Sequence, residues 1–159
     1  MNPQIRDART EDAEQIETLM PRLGAFESPP WRRPEDLWRG DWQAYRTFFE
    51  GKATQCFVRV AVDDNVVLGT TLTTLQPEPL SGEPSAHLQV LVLSEAAQGK
   101  GLGRRLLEDA HEQAAARGAL SITLHVFEGN ERARRLYARN GYEEEMIRCI
   151  RPLVPAPKR

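Results

Sequence analysis

The stretch that most limits what this chain can fold into is Gln98-Gly99-Lys100-Gly101-Leu102-Gly103. Before it runs His87-Leu88-Gln89-Val90-Leu91-Val92-Leu93, apolar enough to be a strand buried on both faces in the middle of a sheet. After it, Leu102, Leu106, Leu107, Ala110 and Ala114 recur at helical spacing. A strand that turns sharply into a helix gathers backbone N–H groups and the positive end of the helix dipole at one spot. Glycine lets an anion approach that spot without a Cβ in the way. Lys100, Arg104 and Arg105 add positive charge nearby. Two phosphate-binding motifs fail on spacing. A P-loop needs Ser or Thr after its lysine, and Gly101 follows Lys100; a dinucleotide fingerprint needs a third glycine where Leu106 stands. The pattern that fits is Gln-x-x-Gly-x-Gly, with a plain tight connection that binds nothing as the bland alternative.

The chain's 159 residues suit one domain, because chains of roughly 100–200 residues usually build a single core. No repeat, low-complexity block or long linker divides it, so residues 1–154 are expected to form the domain and 155–159 a short tail. Lys and Arg number 21 against 23 Asp and Glu, a net charge of −2 that favours neither a nucleic acid nor an anionic membrane as partner. No apolar stretch approaches the roughly 18 residues of a membrane-spanning helix, and Met1-Asn2-Pro3-Gln4-Ile5 lacks the apolar centre of a signal peptide. Cys56 and Cys149 each sit in an apolar run and read as reduced structural thiols, and no paired Cys/His spacing suggests zinc. The expectation is a cytoplasmic protein without a metal.

Along the chain, Ile5 to Arg9 reads as a short strand. Thr10 is a candidate cap for a helix carrying Ile16, Leu19, Met20 and Leu23, which Gly24 stops. A second helix is expected from Glu35 to Glu50. From Gln55 the period becomes two: Cys56, Val58, Val60 and Val62 alternate with Phe57, Arg59 and Ala61, and Asp63-Asp64-Asn65 turns the chain into a return strand from Val66 to Leu75. A proline-bearing loop from Gln76 to Ser85 leads to the apolar strand. Beyond the glycine turn, Gly118 should end the helix in a left-handed conformation, Leu120 to Phe127 reads as a strand, Asn130 caps a short helix, and Tyr142 to Val154 reads as a last strand.

A second pattern stands in Asn130-Glu131-Arg132-Ala133-Arg134-Arg135-Leu136-Tyr137-Ala138-Arg139-Asn140-Gly141-Tyr142. Together with Gln98, Gly101 and Gly103 it resembles the GNAT superfamily of acetyl-CoA-dependent N-acetyltransferases, whose signature is Arg/Gln-x-x-Gly-x-Gly/Ala. The resemblance covers most of the chain and is strongest from about Leu88 to Tyr142. It implies an α/β (α+β) GNAT fold: a mixed, mostly antiparallel twisted sheet of six to seven strands flanked by about four helices. It also implies acetyl-CoA as co-substrate, an amine acceptor, and, since many members dimerise, room for a homodimer.

Carried over residue by residue, the resemblance places the CoA pyrophosphate on the amides from Gly99 through Lys100, Gly101 and Gly103 to Arg104, with Gln98 nearby. The pantetheine arm would pair with backbone near Leu91 and Leu93, and a backbone N–H there would polarise the thioester carbonyl. Asn130 would contact the cofactor while also capping its helix. Tyr137 becomes the candidate general acid for the departing thiolate; its bland reading is a core aromatic. Many relatives carry a glutamate near the start of the central strand where this chain has His87, whose ordinary pKa near 6.5 suits a base at neutral pH. Gln89, on the same face, cannot be a base. Glu27, His125, Glu143 to Glu145 and a relaying water stay open as alternatives. Trp31, Trp38 and Trp42 fall in the segment that covers the family's acceptor pocket, with core or dimer-contact roles weighed against acceptor binding.

The expected function is acetyl transfer to a primary amine by direct attack in a ternary complex, because no cysteine lies in the expected active region. A non-catalytic CoA-binding sensor or interaction module is the alternative, made thinkable by the missing glutamate at His87. The acceptor, whether aminoglycoside, polyamine, amino acid, peptide or protein lysine, has no motif in the chain.

Overall fold

A computed structural model describes residues 2–155. Five strands form one sheet in chain order: β1 (Gln4–Asp7), β2 (Cys56–Asp63), β3 (Val66–Pro77), β4 (Pro84–Leu93) and β5 (Ile122–Leu124). The first four are antiparallel neighbours, and β5 joins β4 in parallel, so the sheet is mixed. Four helices flank it: α1 (Ala13–Leu19), α2 (Arg39–Phe49), α3 (Leu102–Ala116) and α4 (Glu131–Arg139).

The helices divide the sheet into two apolar faces. Val58, Val60, Leu72, Val90 and Val92 meet Ile16, Met20 and Tyr45 from the α1 and α2 side. On the other side Leu88 packs with Leu107 and Ala110, Ala86 with Ala114, and Ala61 with Leu106. In β4 this requires a switch, because Leu88 and Val90 would share a face of a regular strand. The register supplies it: Leu72 pairs with Val90 and Thr73 with Leu88, which leaves Gln89 unpaired as a β-bulge.

Several local expectations change. Thr10 opens a 3₁₀ turn, Thr10–Asp12, and the entry to α1 is held by Asp12, whose carboxylate accepts from the Arg9 amide at 2.7 Å. The second helix is divided, because Trp38 (φ −142°) leaves the helical region between a 3₁₀ turn, Pro34–Leu37, and α2. Asp109 of α3 is gripped by Arg59 of β2 through Nε and Nη2 at 2.8 and 2.9 Å, while Arg59 Nη1 reaches Asp7 at 2.7 Å. This fork ties α3 to the sheet.

The last strand is the largest difference. Residues 143–155 carry no regular structure, so the described residues hold five strands rather than six or seven. Apolar side chains in that segment stand at Met146, Ile147, Ile150, Leu153 and Val154, all exposed. That spacing mixes both faces and makes neither face of a strand apolar, which removes the force that fixes strand register. The tail expected at 155–159 lies, from residue 156, outside the described residues.

Candidate active site

Strand β4 has a closed half and an open half. Ala86, His87 and Leu88 pair with Ile122, Thr123 and Leu124, and there β5 ends, while β4 runs on to Leu93. Past the bulge, the Ser94 amide turns back to Leu68 O on β3 at 2.8 Å. Alternation along the strand then directs the peptide groups of Leu93 and Leu91 into the wedge left by β5. Arg22 occupies part of this edge: its Nε donates to Leu93 O at 2.7 Å, and its Nη1 lies 3.8 Å from Glu95. Nothing in the sequence pattern pointed to Arg22, because the contact joins residues far apart in the chain.

At the open end of the wedge stands the glycine turn. Gly99 and Gly101 have φ of 73° and 77°, and a Cβ on either would meet no heavy atom within 4 Å. Both glycines are therefore required by conformation, a left-handed backbone that other residues enter at a cost of about 1–2 kcal/mol. Gly103 answers a different need: a Cβ there would stand 3.4 Å from Leu93 and 3.5 Å from Leu136, so its absence lets α3 approach β4 and α4 closely. The first main-chain bond of α3 runs from Arg105 N to Gly101 O, which leaves the amides of Leu102, Gly103 and Arg104 without an acceptor in the helix. Lys100 is exposed beside them.

Two of the expected cations turn elsewhere. Arg105 Nη2 donates to Pro3 O at 2.7 Å, which anchors β1, and Arg104 Nε pairs with Glu108 one turn along α3 at 2.7 Å. A different arginine reaches the turn: Arg132 Nη1 donates to Gln98 Oε1 at 2.6 Å, linking the first turn of α4 to the glycine turn. Asn130 caps α4, its Oδ1 accepting from the Ala133 amide at 3.3 Å.

The closed end of the wedge holds a polar cluster on the α2 face. His87 Nδ1 and Thr123 Oγ1 are hydrogen-bonded at 2.8 Å, and the rings of His87 and His125 lie 4.8 Å apart. Burial, with a smaller push from His125, lowers the His87 pKa below its ordinary value, so the ring is neutral at neutral pH. Gln89, freed by the bulge, donates through Nε2 to Asp41 Oδ1 of α2 at 3.0 Å. Asp41, Thr123 and the bulge were not legible from the sequence as members of one cluster. A cavity of about 310 Å³ opens farther along the same face, lined by Ala44, Thr47, Cys56, Leu72 and Thr74 among others, and Thr74 is the register partner of His87.

Tyr137 is half-buried on α4, packed beside Leu88, Leu107 and Ala110, its ring edge-on to Tyr142 at 5.6 Å. Among the described residues its hydroxyl has no hydrogen-bond partner, and burial pushes its pKa up to about 12, which keeps the proton on. Trp38 and Trp42 pack half-buried against the core of the α1 and α2 face. Glu27 and residues 143–145 are exposed.

A model of the acetyltransferase (GNAT) family matches residues 16–142, a span that contains the glycine turn, the wedge and α4. The chain belongs to the GNAT acetyltransferase family. It is 30% identical over 143 residues to the uncharacterized N-acetyltransferase YhfO of Bacillus subtilis (strain 168), which covers 89% of this chain and 90% of that one. A second B. subtilis protein, the uncharacterized N-acetyltransferase YdgE, is 38% identical over 79 residues, half of each chain. In fold, the crystal structure of a mutant of the BH1408 protein from Bacillus halodurans matches with a TM-score of 0.76 at 22% identity, over 95% of this chain and 99% of that one. Membership in the GNAT family implies acetyl-CoA as acyl donor. The residues present fit such a molecule, because free amides gather at the turn where a polyphosphate would lie, and the β4 edge that β5 leaves uncovered, met only by Arg22 at Leu93 O, runs from there toward the bulge at Gln89. No helix among the described residues is long and apolar enough to cross a membrane.

Proposed function

We propose that this GNAT-family N-acetyltransferase transfers acetyl from acetyl-CoA to a primary amine by direct attack in a ternary complex. The observation that carries the reading is the wedge itself, with donor amides at one end and a neutral histidine at the other. Acetyl-CoA supplies the acetyl thioester. The amides of Gly99 to Arg104, with Gln98 and Lys100, would hold its phosphates, Asn130 would contact the cofactor from the start of α4, and the peptide groups of Leu91 and Leu93 on the β4 edge, where Arg22 already meets Leu93 O, would align the arm. A Leu91 or Leu93 N–H offers hydrogen-bond stabilisation to the carbonyl oxygen as it gains charge.

His87 takes the proton from the acceptor ammonium. In the tautomer whose Nδ1–H is donated to Thr123, Nε2 keeps its lone pair, and the lowered pKa favours the neutral ring. Tyr137, held protonated by burial, would pass its proton to the leaving thiolate as the nitrogen of the collapsing intermediate gives up its remaining proton to the phenolate, so that the phenol is restored and the free thiol leaves. A covalent acetyl-cysteine route has little support. Cys56 sits two strands from His87, roughly 9–10 Å by strand spacing, and burial pushes its thiol up to about 11; Cys149 is exposed in the C-terminal segment.

The test is a melting curve with and without acetyl-CoA, followed by thiol release over a panel of amines. Saturating donor at about 100 times its Kd should stabilise by roughly 2.7 kcal/mol, which for a chain of this length is a rise of about 5–10 °C. Saturable thiol release that needs an amine supports the reading. Stabilisation without turnover by any amine makes the protein a CoA-binding sensor instead, and neither response removes the donor site.

A further inference from the structure

Three carboxylates withdrawn to different degrees from water, Asp12, Asp109 and Asp41, are not treated alike. Asp12 is almost wholly buried and receives both Nη1 and Nη2 of Arg6, at 2.8 and 2.9 Å. Burial would raise its pKa, but Arg6 and the Arg9 amide outweigh that and hold it low. Asp109, 14% exposed at its side chain, receives the fork of Arg59. Asp41 is half-buried and has only the neutral amide of Gln89; among the described residues no Lys, Arg or His forms an ion pair with it. A carboxylate partly withdrawn from water without a counter-ion is a standing cost, and a cation arriving from solution removes it.

The position of this uncompensated charge is specific. Gln89 is the bulge residue of β4, displaced toward α2, and His87 lies two residues before it on the same face. Gln89 is exposed, so the Asp41 pair borders space that a small molecule can enter. We propose that Asp41 binds a second positive charge on the acceptor, so that the substrate is an amine carrying a further cationic group, of the diamine or polyamine class. This rests on the acetyl-transfer reading above. The charge held by Asp41 is the one that stays, because a carboxylate next to the reacting nitrogen would favour its ammonium form and oppose the deprotonation that His87 performs. The reacting nitrogen therefore belongs at His87 and the spectator cation at Asp41. Gln89 holds the carboxylate in place without neutralising it.

The experiment compares straight-chain diamines, from 1,2-diaminoethane to 1,8-diaminooctane, with monoamines of equal length, in wild type, Asp41→Asn and Asp41→Glu. At the best length, wild type should favour the diamine over the matched monoamine by about tenfold or more in kcat/KM, with the difference in KM. Asp41→Asn should bring that ratio close to one, and Asp41→Glu should keep a preference with its optimum moved to a shorter diamine. A ratio near one in wild type overturns the proposal. So does a ratio that survives Asp41→Asn while kcat falls for both classes, which would make Asp41 part of the proton path. If no amine is acetylated, the acetyl-transfer reading fails first, and calorimetric titration of the same diamines still decides on Asp41. Binding that Asp41→Asn weakens about tenfold upholds the cation site, and binding that is absent or unchanged in the variant removes it.

Discussion

The two ends of the wedge are made of different material. The donor end is backbone: amides of a left-handed turn, the first turn of α3, and the edge of β4 at Leu91 and Leu93. The acceptor end is side chain: His87 and Gln89 from β4, Thr123 and His125 from β5 and the residue after it, and Asp41 from α2. A site made of backbone needs particular φ values at fixed intervals, and those intervals survive in the sequence as glycine spacing. A site made of side chains from three elements needs only that the fold bring them together, and leaves no local pattern. Substitutions at the donor end should therefore act on acetyl-CoA and leave acceptor choice alone, while those at the acceptor end should do the reverse.

Tyr137 belongs to neither end, since its proposed role is toward the leaving thiolate, and on that proposal its loss should be the largest. Tyr137→Phe keeps the ring against Tyr142 and removes only the hydroxyl, so the fold should survive. General-acid contributions are worth roughly 10²–10⁴ in rate, and the neighbouring phenol of Tyr142 is engaged with His111 at 2.9 Å. The expected result is a fall in kcat of that order with the KM for acetyl-CoA nearly unchanged. A stopped-flow or steady-state thiol assay that shows kcat within threefold of wild type would return Tyr137 to a purely structural role.

His87 should matter somewhat less, because His125 is 4.8 Å away and water can relay a proton. His87→Gln is expected to lower kcat/KM about a hundredfold. The pH profile is the sharper reading. Because burial depresses the His87 pKa below its ordinary value, the acid limb of kcat/KM for a His87 base should fall below pH 6.5 in wild type and move or vanish in the variant. The same depression has a stability consequence of fixed sign. Between the unfolded value and the lower folded one, the unfolded chain binds more protons, so acidification below pH 6.5 should cost the folded state, and His87→Gln should remove that part of the loss. An acid limb above pH 7 would contradict both.

The donor end should respond in the cofactor alone. Gly101→Val forces a β-branched residue to a φ of 77°, a cost of about 1–2 kcal/mol. If that strain is relieved by rearranging the turn, the amides disperse, and the KM for acetyl-CoA should rise roughly five- to thirtyfold while the diamine-to-monoamine ratio stays put. A change in that ratio would show that the two ends are not separable.

The same contrast accounts for what could be read before the structure was in hand. Gln98, Gly101 and Gly103 were legible because a left-handed turn and a helix start repeat local rules, and Asn130 because a helix cap does; Tyr137 was legible only through the family resemblance, and it packs beside Leu88, Leu107 and Ala110. The inward face of α3 was legible from period alone, and all of Leu102, Leu106, Leu107, Ala110 and Ala114 are buried. The bulge at Gln89 was not, because it arises where β4 must change which face it gives to α3, a demand set by packing rather than by any residue in the strand. Arg104 and Arg105 were assigned to the anion site by proximity in sequence. On a helix, consecutive residues project about 100° apart, and their partners, Glu108 and Pro3, lie away from the turn. The final strand was expected from composition, yet its apolar residues lack the period that a sheet edge would select.

Arg132 gives the smallest effect and the finest division between the two ends. It lies on the exposed face of α4, where a run of arginines reads as a solvated surface, yet its guanidinium donates to Gln98 Oε1 at 2.6 Å. That contact orients the side chain at the head of the glycine turn, so that the Gln98 amide nitrogen is the group left to face outward. Exposed charge-assisted contacts of this kind are worth up to about 1 kcal/mol. Arg132→Ala should then raise the KM for acetyl-CoA by no more than about fivefold, with kcat and acceptor preference untouched. If Arg132 instead meets a phosphate directly, the rise should exceed tenfold and should shrink steeply with added salt, because a screened phosphate contact weakens with ionic strength while a side chain positioned through Gln98 does not. Repeating the measurement in Gln98→Ala decides between the two: a positioning role makes Arg132→Ala silent in that background, and a phosphate contact leaves its effect intact.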